Sequence, residues 1–251
     1  MGKLVLLMRL EGPLQSWGVR ARWDVRDTGP EPTKSGVIGL LGCALGCPMG
    51  DPELETLDRA LRFGVRVEAP GRVMDDFQTI TGFLPTAAGG FRYSGGTTPR
   101  SLDKLLADPG LEPATIVSPR SYLQDAAFLA ALEETGATIG LLEQCARALQ
   151  HPAWPVYLGR KACLPTRPVL DCLTDRYAGL EEALLLHPWS WLGAAMHPRE
   201  TPTTSLTAYV EDPDGDAVRQ DAIRTNAARQ YGFRHARRLA PITPRPEGSA
   251  P

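Results

Sequence analysis

Met8-Arg-Leu-Glu-Gly-Pro-Leu-Gln-Ser-Trp-Gly18, followed by Pro32-Thr-Lys-Ser-Gly36 and Gly39-Leu-Leu-Gly42, is the stretch on which the fold turns. Leu4–Leu10 is apolar throughout and reads as a strand buried on both faces. A Gly-Pro turn ends it and delivers Gln15, Ser16 and Trp17, which can hydrogen-bond and stack. A long loop over residues 11–33 carries Arg22 and Arg26, and a helix then begins at Lys34-Ser35, with Thr33 or Ser35 as candidate N-cap. Strand, polar-aromatic loop and helix N-terminus in that order predict an amide, an indole, a cation and free backbone N–H groups at one sheet edge. Such an edge suits a phosphate-bearing ligand.

Working outward, Ser35–Gly46 reads as a helix with Gly36, Gly39, Gly42 and Gly46 on one third of its circumference. Each glycine costs roughly 1 kcal/mol relative to Ala, so the stripe implies close packing on a sheet, close approach to nucleic acid, or both. Pro52–Leu61 reads as a short helix, Phe63–Glu68 as a strand and Gly71–Thr81 as its hairpin partner. Residues 82–119 lack a core pattern and are rich in glycine and proline; so long an irregular insertion is usually functional or disordered. It contains Phe91-Arg92-Tyr93, a basic-aromatic tip. Arg120–Leu132 resumes strand character, Thr138–Leu149 is an amphipathic helix and Trp154–Cys163 reads as a strand with Gly-Arg-Lys exposed. The order approximates a ferredoxin-like βαββαβ unit of the α+β class, the architecture shared by RNA-recognition motifs. Residues 179–187 predict a further helix. Thr203–Val210 and Ala217–Ile223 flank Asp-Pro-Asp-Gly-Asp as a candidate hairpin. The expected division is a body over 1–200 with an arm inserted at 82–118, a C-terminal basic, β-rich extension over 201–240 and a flexible tail over 241–251.

The chain has 251 residues, is 43% hydrophobic and carries a net charge of −2, which excludes a disordered or uniformly basic protein. Four of its 27 basic residues are Lys and the rest Arg, a bias that suits bidentate phosphate contact but also follows from a GC-rich genome. Residues 218–240 hold six arginines against Asp221 alone, which reads either as a polyanion footprint or as a solvated face. No apolar run reaches the ~18 residues of a membrane span. The start runs directly into a strand and reads as neither signal peptide nor myristoylation site, so a cytoplasmic protein without membrane contact is expected. Its five cysteines form no Cys-x-x-Cys pair and read as buried thiols rather than zinc ligands. Neither metal nor cofactor is expected.

Catalytic readings are weak. Around Lys34-Ser35 the phosphate-loop spacing fails, with Gly29 too close and Thr33 in place of the second glycine. Gln78 cannot exchange a proton at neutral pH, and the adjacent carboxylates Asp75-Asp76 point to opposite faces of a strand. No catalytic residue is therefore assigned.

The quoted blocks, together with Asp75-Asp-Phe-Gln-Thr79, Arg120-Ser-Tyr-Leu-Gln-Asp-Ala-Ala-Phe128 and Pro155-Val-Tyr-Leu-Gly-Arg-Lys-Ala-Cys163, resemble the CasD subunit family of the type I-E CRISPR Cascade surveillance complex. Met8 departs from the family's usual Leu, a mild exchange, and little specific pattern follows residue 165. The resemblance implies a non-catalytic RNA-binding subunit that caps the complex and holds the 5′ handle of the CRISPR RNA in antiviral defence. It implies a thumb-like hairpin arm that wedges against the guide. Its partners would be CRISPR RNA, the backbone and large subunits and, indirectly, target DNA. The RNA-binding residues it points to are Gln15, Ser16, Trp17, Arg22, Arg26, Lys34, Ser35, Arg92, Tyr93, Arg120, Tyr122, Tyr157, Arg160 and Lys161. The alternative is a metal-independent endoribonuclease that processes repeat RNA, as a related subunit does in type I-C systems.

Overall fold

The computed structural model describes residues 2–19, 26–136, 140–195, 205–224 and 230–245. In chain order the elements are β1 (Val5–Glu11), β2 (Leu14–Gln15), α1 (Lys34–Leu45), α2 (Pro52–Ala60), β3 (Leu61–Ala69), β4 (Arg72–Gly82), β5 (Leu84–Pro85), β6 (Phe91–Tyr93), β7 (Gly96–Thr98) and α3 (Leu102–Leu106). They continue with β8 (Ala114–Gln124), β9 (Ala127–Glu134), α4 (Leu141–Gln150), β10 (Leu170–Thr174), α5 (Leu180–Leu186), a 3-10 turn (Leu192–Ala195), β11 (Thr207–Glu211), β12 (Ala217–Arg224) and β13 (Gln230–Arg238).

Every residue of β1 is buried, so neither face of this strand meets water. Leu6, Met8 and Leu10 face α1 and α4, while Val5 and Leu7 pack with Leu180, Ala183 and Leu184 of α5. Each such side chain, fully buried, contributes about 1.5–3 kcal/mol. The sheet around β1 runs β10-β1-β9-β3-β11-β13-β12. Its first four strands, joined through α1 and α4, form the ferredoxin-like βαββαβ core in the order 4-1-3-2, with every pairing antiparallel. The α+β, RRM-like expectation holds.

Several local expectations change. Residues 154–163 form a loop, not a strand; the last core strand is β10, which the sequence reading passed over. Pro155 and Gly159 leave that segment without a period-2 run, and its backbone bonds close turns, from Leu158 N–H to Cys163 O and from Cys163 N–H to Arg160 O. The continuous strand expected over 120–132 breaks at Asp125, whose φ of 54° ends β8 and starts β9. β4 joins the sheet β2-β8-β4 rather than pairing with β3 as its hairpin partner. β11 and β12 are not a hairpin: β13 lies between them, and β11 pairs with β3. β11, β12 and β13 are therefore strands of the main sheet.

The chain divides into two compact units, one of residues 1–19, 28–74 and 122–251 and one of residues 20–27 and 75–121. The second holds the small sheet β5-β6-β7 and α3. Among the described residues no helix is long and apolar enough to cross a membrane.

Candidate nucleic-acid interface

In the first unit, α1 begins where the sequence places it, with Thr33 Oγ1 accepting from Gly36 N–H. Gln15 is fully buried. Its amide donates to Leu10 O at 3.1 Å and Ala126 O at 2.6 Å and accepts from the Trp17 indole at 3.0 Å. Trp17 is 1% exposed and lies where a Cβ on Gly36 would approach its ring to 2.9 Å. That packing, rather than nucleic acid, accounts for the first glycine of the stripe. The expected RNA contacts of Gln15 and Trp17 are therefore corrected: these side chains are spent on joining β1, the loop and α1.

Lys34 is corrected for a different reason. Its ammonium donates to both oxygens of Glu211, at 3.0 and 2.8 Å, and its backbone N–H donates to Asp221 Oδ2 at 2.8 Å. The helix N-terminus already holds a carboxylate of its own chain, which occupies the Lys34 N–H. Asp221 in turn grips Arg234 at 2.9 and 2.8 Å. Ser35 is half-buried and bonds to Thr33 Oγ1.

The same pairing answers the charge of residues 218–240. Arg219 meets Glu31, Arg234 meets Asp221 and Arg237 meets Asp212 and Glu181. Three of the six arginines are thus paired with acids of the fold, while Arg229 lies outside the described residues.

Asp58 adjoins this network, 5% exposed, with Oδ1 lacking a hydrogen-bond partner. Burial pushes its carboxyl up to about 6, against the pull of Lys34. The folded chain therefore binds this proton more tightly than the unfolded chain, and Asp58 erodes stability as pH rises from about 4 to about 6. Asp58→Asn should unfold later than the parent at about pH 8, by roughly 2–3 kcal/mol, and lose that advantage towards about pH 4. Thermal melts of both proteins across this range check it; a pH-independent difference would contradict the assignment.

Among the described residues, five candidates of the first unit gather in one cluster. Ser16 N–H donates to Leu158 O at 3.0 Å, tying the β2 loop to the loop of Leu158–Cys163. Tyr122, at the end of β8, is 4% exposed and lies under the Arg160 guanidinium, 4.7 Å from its ring centroid. Lys161 is exposed and Tyr157 half-buried. Five of the candidate residues, Ser16, Tyr122, Tyr157, Arg160 and Lys161, thus meet on two neighbouring loops and a strand end. Ser16 is itself 7% exposed and Tyr122 is covered, so Lys161 is the exposed member, with Tyr157 and Arg160 half-buried.

In the second unit Arg92 is exposed at the centre of the three-stranded sheet, with Tyr93 half-buried beside it. Arg26 and Arg120 lie side by side in a parallel bridge, with Arg26 N–H donating to Pro119 O and Ser121 N–H to Arg26 O. Arg22 lies outside the described residues. Sequence reading missed Phe77, 73% exposed on β4; an aromatic inside the polar run Asp75-Asp-Phe-Gln-Thr79 was the available signal.

The opposite face of the main sheet is covered over β1, β9 and β3, whereas on β13 Phe233 is 67% exposed. RNA-recognition motifs stack bases on that face; here α5 and residues 187–192 provide the cover. Arg9, Arg66 and Glu68, each at most 2% exposed, bind the segment through Pro188 O, His187 O and Ser190 N–H.

The fold and this site define a ferredoxin-like protein that would meet RNA at its loops. The family described as CRISPR-associated protein (Cas_Cas5) matches residues 5–237. This chain belongs to the CRISPR-associated Cas5 family. It is 32% identical over 168 residues, 65% of this chain and 68% of the relative, to the CRISPR system Cascade subunit CasD of Escherichia coli (strain K12). Among solved structures, a Cas protein crystal structure superposes with TM-score 0.66 at 34% identity, covering 97% of this chain and 98% of that one. A chain of a CRISPR RNA-guided surveillance complex superposes with TM-score 0.63 at 30% identity, covering 95% and 90%.

Proposed function

We propose that this chain is a CRISPR RNA-binding subunit of a Cascade-type surveillance complex, holding the 5′ handle of the guide. The observation that carries the reading is the loop of Leu158–Cys163, which stacks Arg160 on Tyr122 and presents Lys161 beside it. A stacked guanidinium is pre-oriented for a phosphate or a base, and the adjacent ammonium adds a second charge. Phe77 and Arg92 of the second unit supply an exposed aromatic and a cation for the wedge that the family's arm provides. The role is structural rather than catalytic, and the cytoplasm is its expected location. Target sequence is then read by guide pairing.

The test is binding of repeat-derived 5′-handle RNA across a salt series. Lys161→Ala should weaken binding and reduce the slope of log K against log salt by roughly 0.7, without loss of stability. Arg160→Ala should weaken binding further, because it removes both the charge and the stacked plane. Unchanged affinity in both variants would remove this loop from the interface. Metal-independent cleavage of the repeat RNA by the purified chain would replace the reading with the endoribonuclease one.

A further inference from the structure

A second polar cluster lies in the first unit, away from the loop just described, and the proposed RNA role makes no use of it. Between Leu7 and Met8 the pairing of β1 with β10 shifts register, from Leu7 opposite Cys172 to Met8 opposite Leu170. Asp171 is the extra residue of this bulge. Adjacent strand residues ordinarily point to opposite faces, and a bulge is the device that re-aims one of them. Here Asp171 and Cys172 both reach towards His187, the residue that ends α5.

The contacts are close. Asp171 Oδ2 lies 2.7 Å from His187 Nε2 and 3.9 Å from Cys172 Sγ, and the three donor atoms all lie within 4.8 Å of one another. The other imidazole nitrogen, Nδ1, meets the Tyr177 hydroxyl at 3.1 Å. Histidines that bind metals are usually held through their second nitrogen in this way. The side chains of His187 and Asp171 are 12% and 17% exposed, so the cluster is sheltered but not sealed.

We propose that Asp171, Cys172 and His187 form a binding site for one divalent cation of the zinc class. A carboxylate, a thiolate and an imidazole are the donors that zinc accepts, whereas magnesium and calcium prefer oxygen alone. The two anionic ligands balance the ion's charge. Arg9 touches only the other carboxylate oxygen, Oδ1, at 3.4 Å, and Glu68 balances it at 3.1 Å. Tetrahedral zinc separates its ligand atoms by roughly 3.3–3.7 Å, so Asp171 and His187 need only part slightly while Cys172 draws in. Water completes the four positions. The bound ion would clamp the edge strand β10 to the end of α5, the helix that covers part of the sheet face.

Cobalt(II) titration of the full-length chain tests this by absorption. The expected result is one equivalent bound, with a thiolate-to-cobalt charge-transfer band that zinc abolishes by displacement. Cys172→Ser should lose the band, while Cys43→Ser and Cys47→Ser keep it. Tyr177→Phe should bind roughly 10-fold more weakly or worse. Zinc should also raise the melting temperature of the parent by several degrees and leave that of His187→Gln unmoved, a readout that does not depend on RNA. Circular dichroism confirms that each variant is folded, and Asp171→Asn replaces any that is not. No charge-transfer band, or a band that survives Cys172→Ser, would overturn the site.

Discussion

Glu68→Ala is expected to destabilise the protein by about 3–5 kcal/mol, a large share of the ~5–15 kcal/mol that holds a domain folded. Glu68 is the shared anion of two buried cations. Its Oε2 accepts from Arg9 at 3.1 Å and from Ser190 N–H at 3.0 Å, and its Oε1 accepts from Arg66 at 2.5 Å. Other guanidinium N–H groups go to carbonyls at and beyond the end of α5, Leu184, His187 and Pro188, and Arg9 Nε reaches Asp171 Oδ1 at 3.4 Å. Truncating the carboxylate leaves Arg66 buried without a counter-ion and Arg9 with Asp171 alone, and neither can reach water without lifting α5 from the sheet. Replacing all three residues together, with Met for the arginines and Leu for Glu68, should recover most of the loss, because the penalty comes from unpaired charge rather than from a missing attraction. Urea unfolding at neutral pH measures both variants. A single variant within about 1 kcal/mol of the parent would show that these arginines find other partners.

The same network marks where sequence ceased to be a guide. β1 and α1 were legible because their signals are local: seven residues buried on both faces read as a continuous apolar run, and Thr33 before a Lys-Ser-Gly start is a capping pattern. The arginine of Met8-Arg-Leu, by contrast, sits inside that run, and only α5, some 180 residues later, tells why a charge is buried there. Gln15 and Trp17 illustrate the converse error. A glutamine and a tryptophan after a strand have the composition of a base-stacking site, but composition does not record that the indole N–H and the amide oxygen satisfy each other at 3.0 Å. Lys34 misled for the same reason, since Glu211 and Asp221 arrive from β11 and β12. The segment Leu158–Cys163 is a loop rather than a strand, yet Lys161 is exposed there, because a charged side chain seeks solvent on strand or loop alike. β10 was missed because its short run Leu-Asp-Cys-Leu-Thr hides a bulge, and the bulge is what turns Asp171 and Cys172 to one side.

Gly159→Ala should be the most damaging small substitution at the candidate interface, although it touches no charge. Gly159 adopts φ of +102°, where a side chain costs about 1–3 kcal/mol. A Cβ there would also fall 1.9 Å from the carbonyl oxygen of Ser16 and 2.8 Å from its carbon. These are backbone atoms, so no rotamer change relieves the clash, and forcing the loops apart costs about 1–3 kcal/mol more. The separation would break the bond from Ser16 N–H to Leu158 O and draw Arg160 away from Tyr122. On the proposed reading, RNA affinity and stability therefore fall together in Gly159→Ala, whereas Lys161→Ala loses affinity alone. Gly39→Ala is the matching control: nothing lies within 4 Å of its Cβ position, and alanine in mid-helix should gain roughly 0.5–1 kcal/mol with RNA binding unchanged. Urea titrations and handle-RNA binding on the three variants separate the possibilities. Wild-type stability in Gly159→Ala would mean that the two loops do not need their close approach, and retained RNA binding in a destabilised Gly159→Ala would mean that the interface lies elsewhere. The glycine matters because it lets two backbones touch, and that contact sets where the guanidinium and the ammonium can stand.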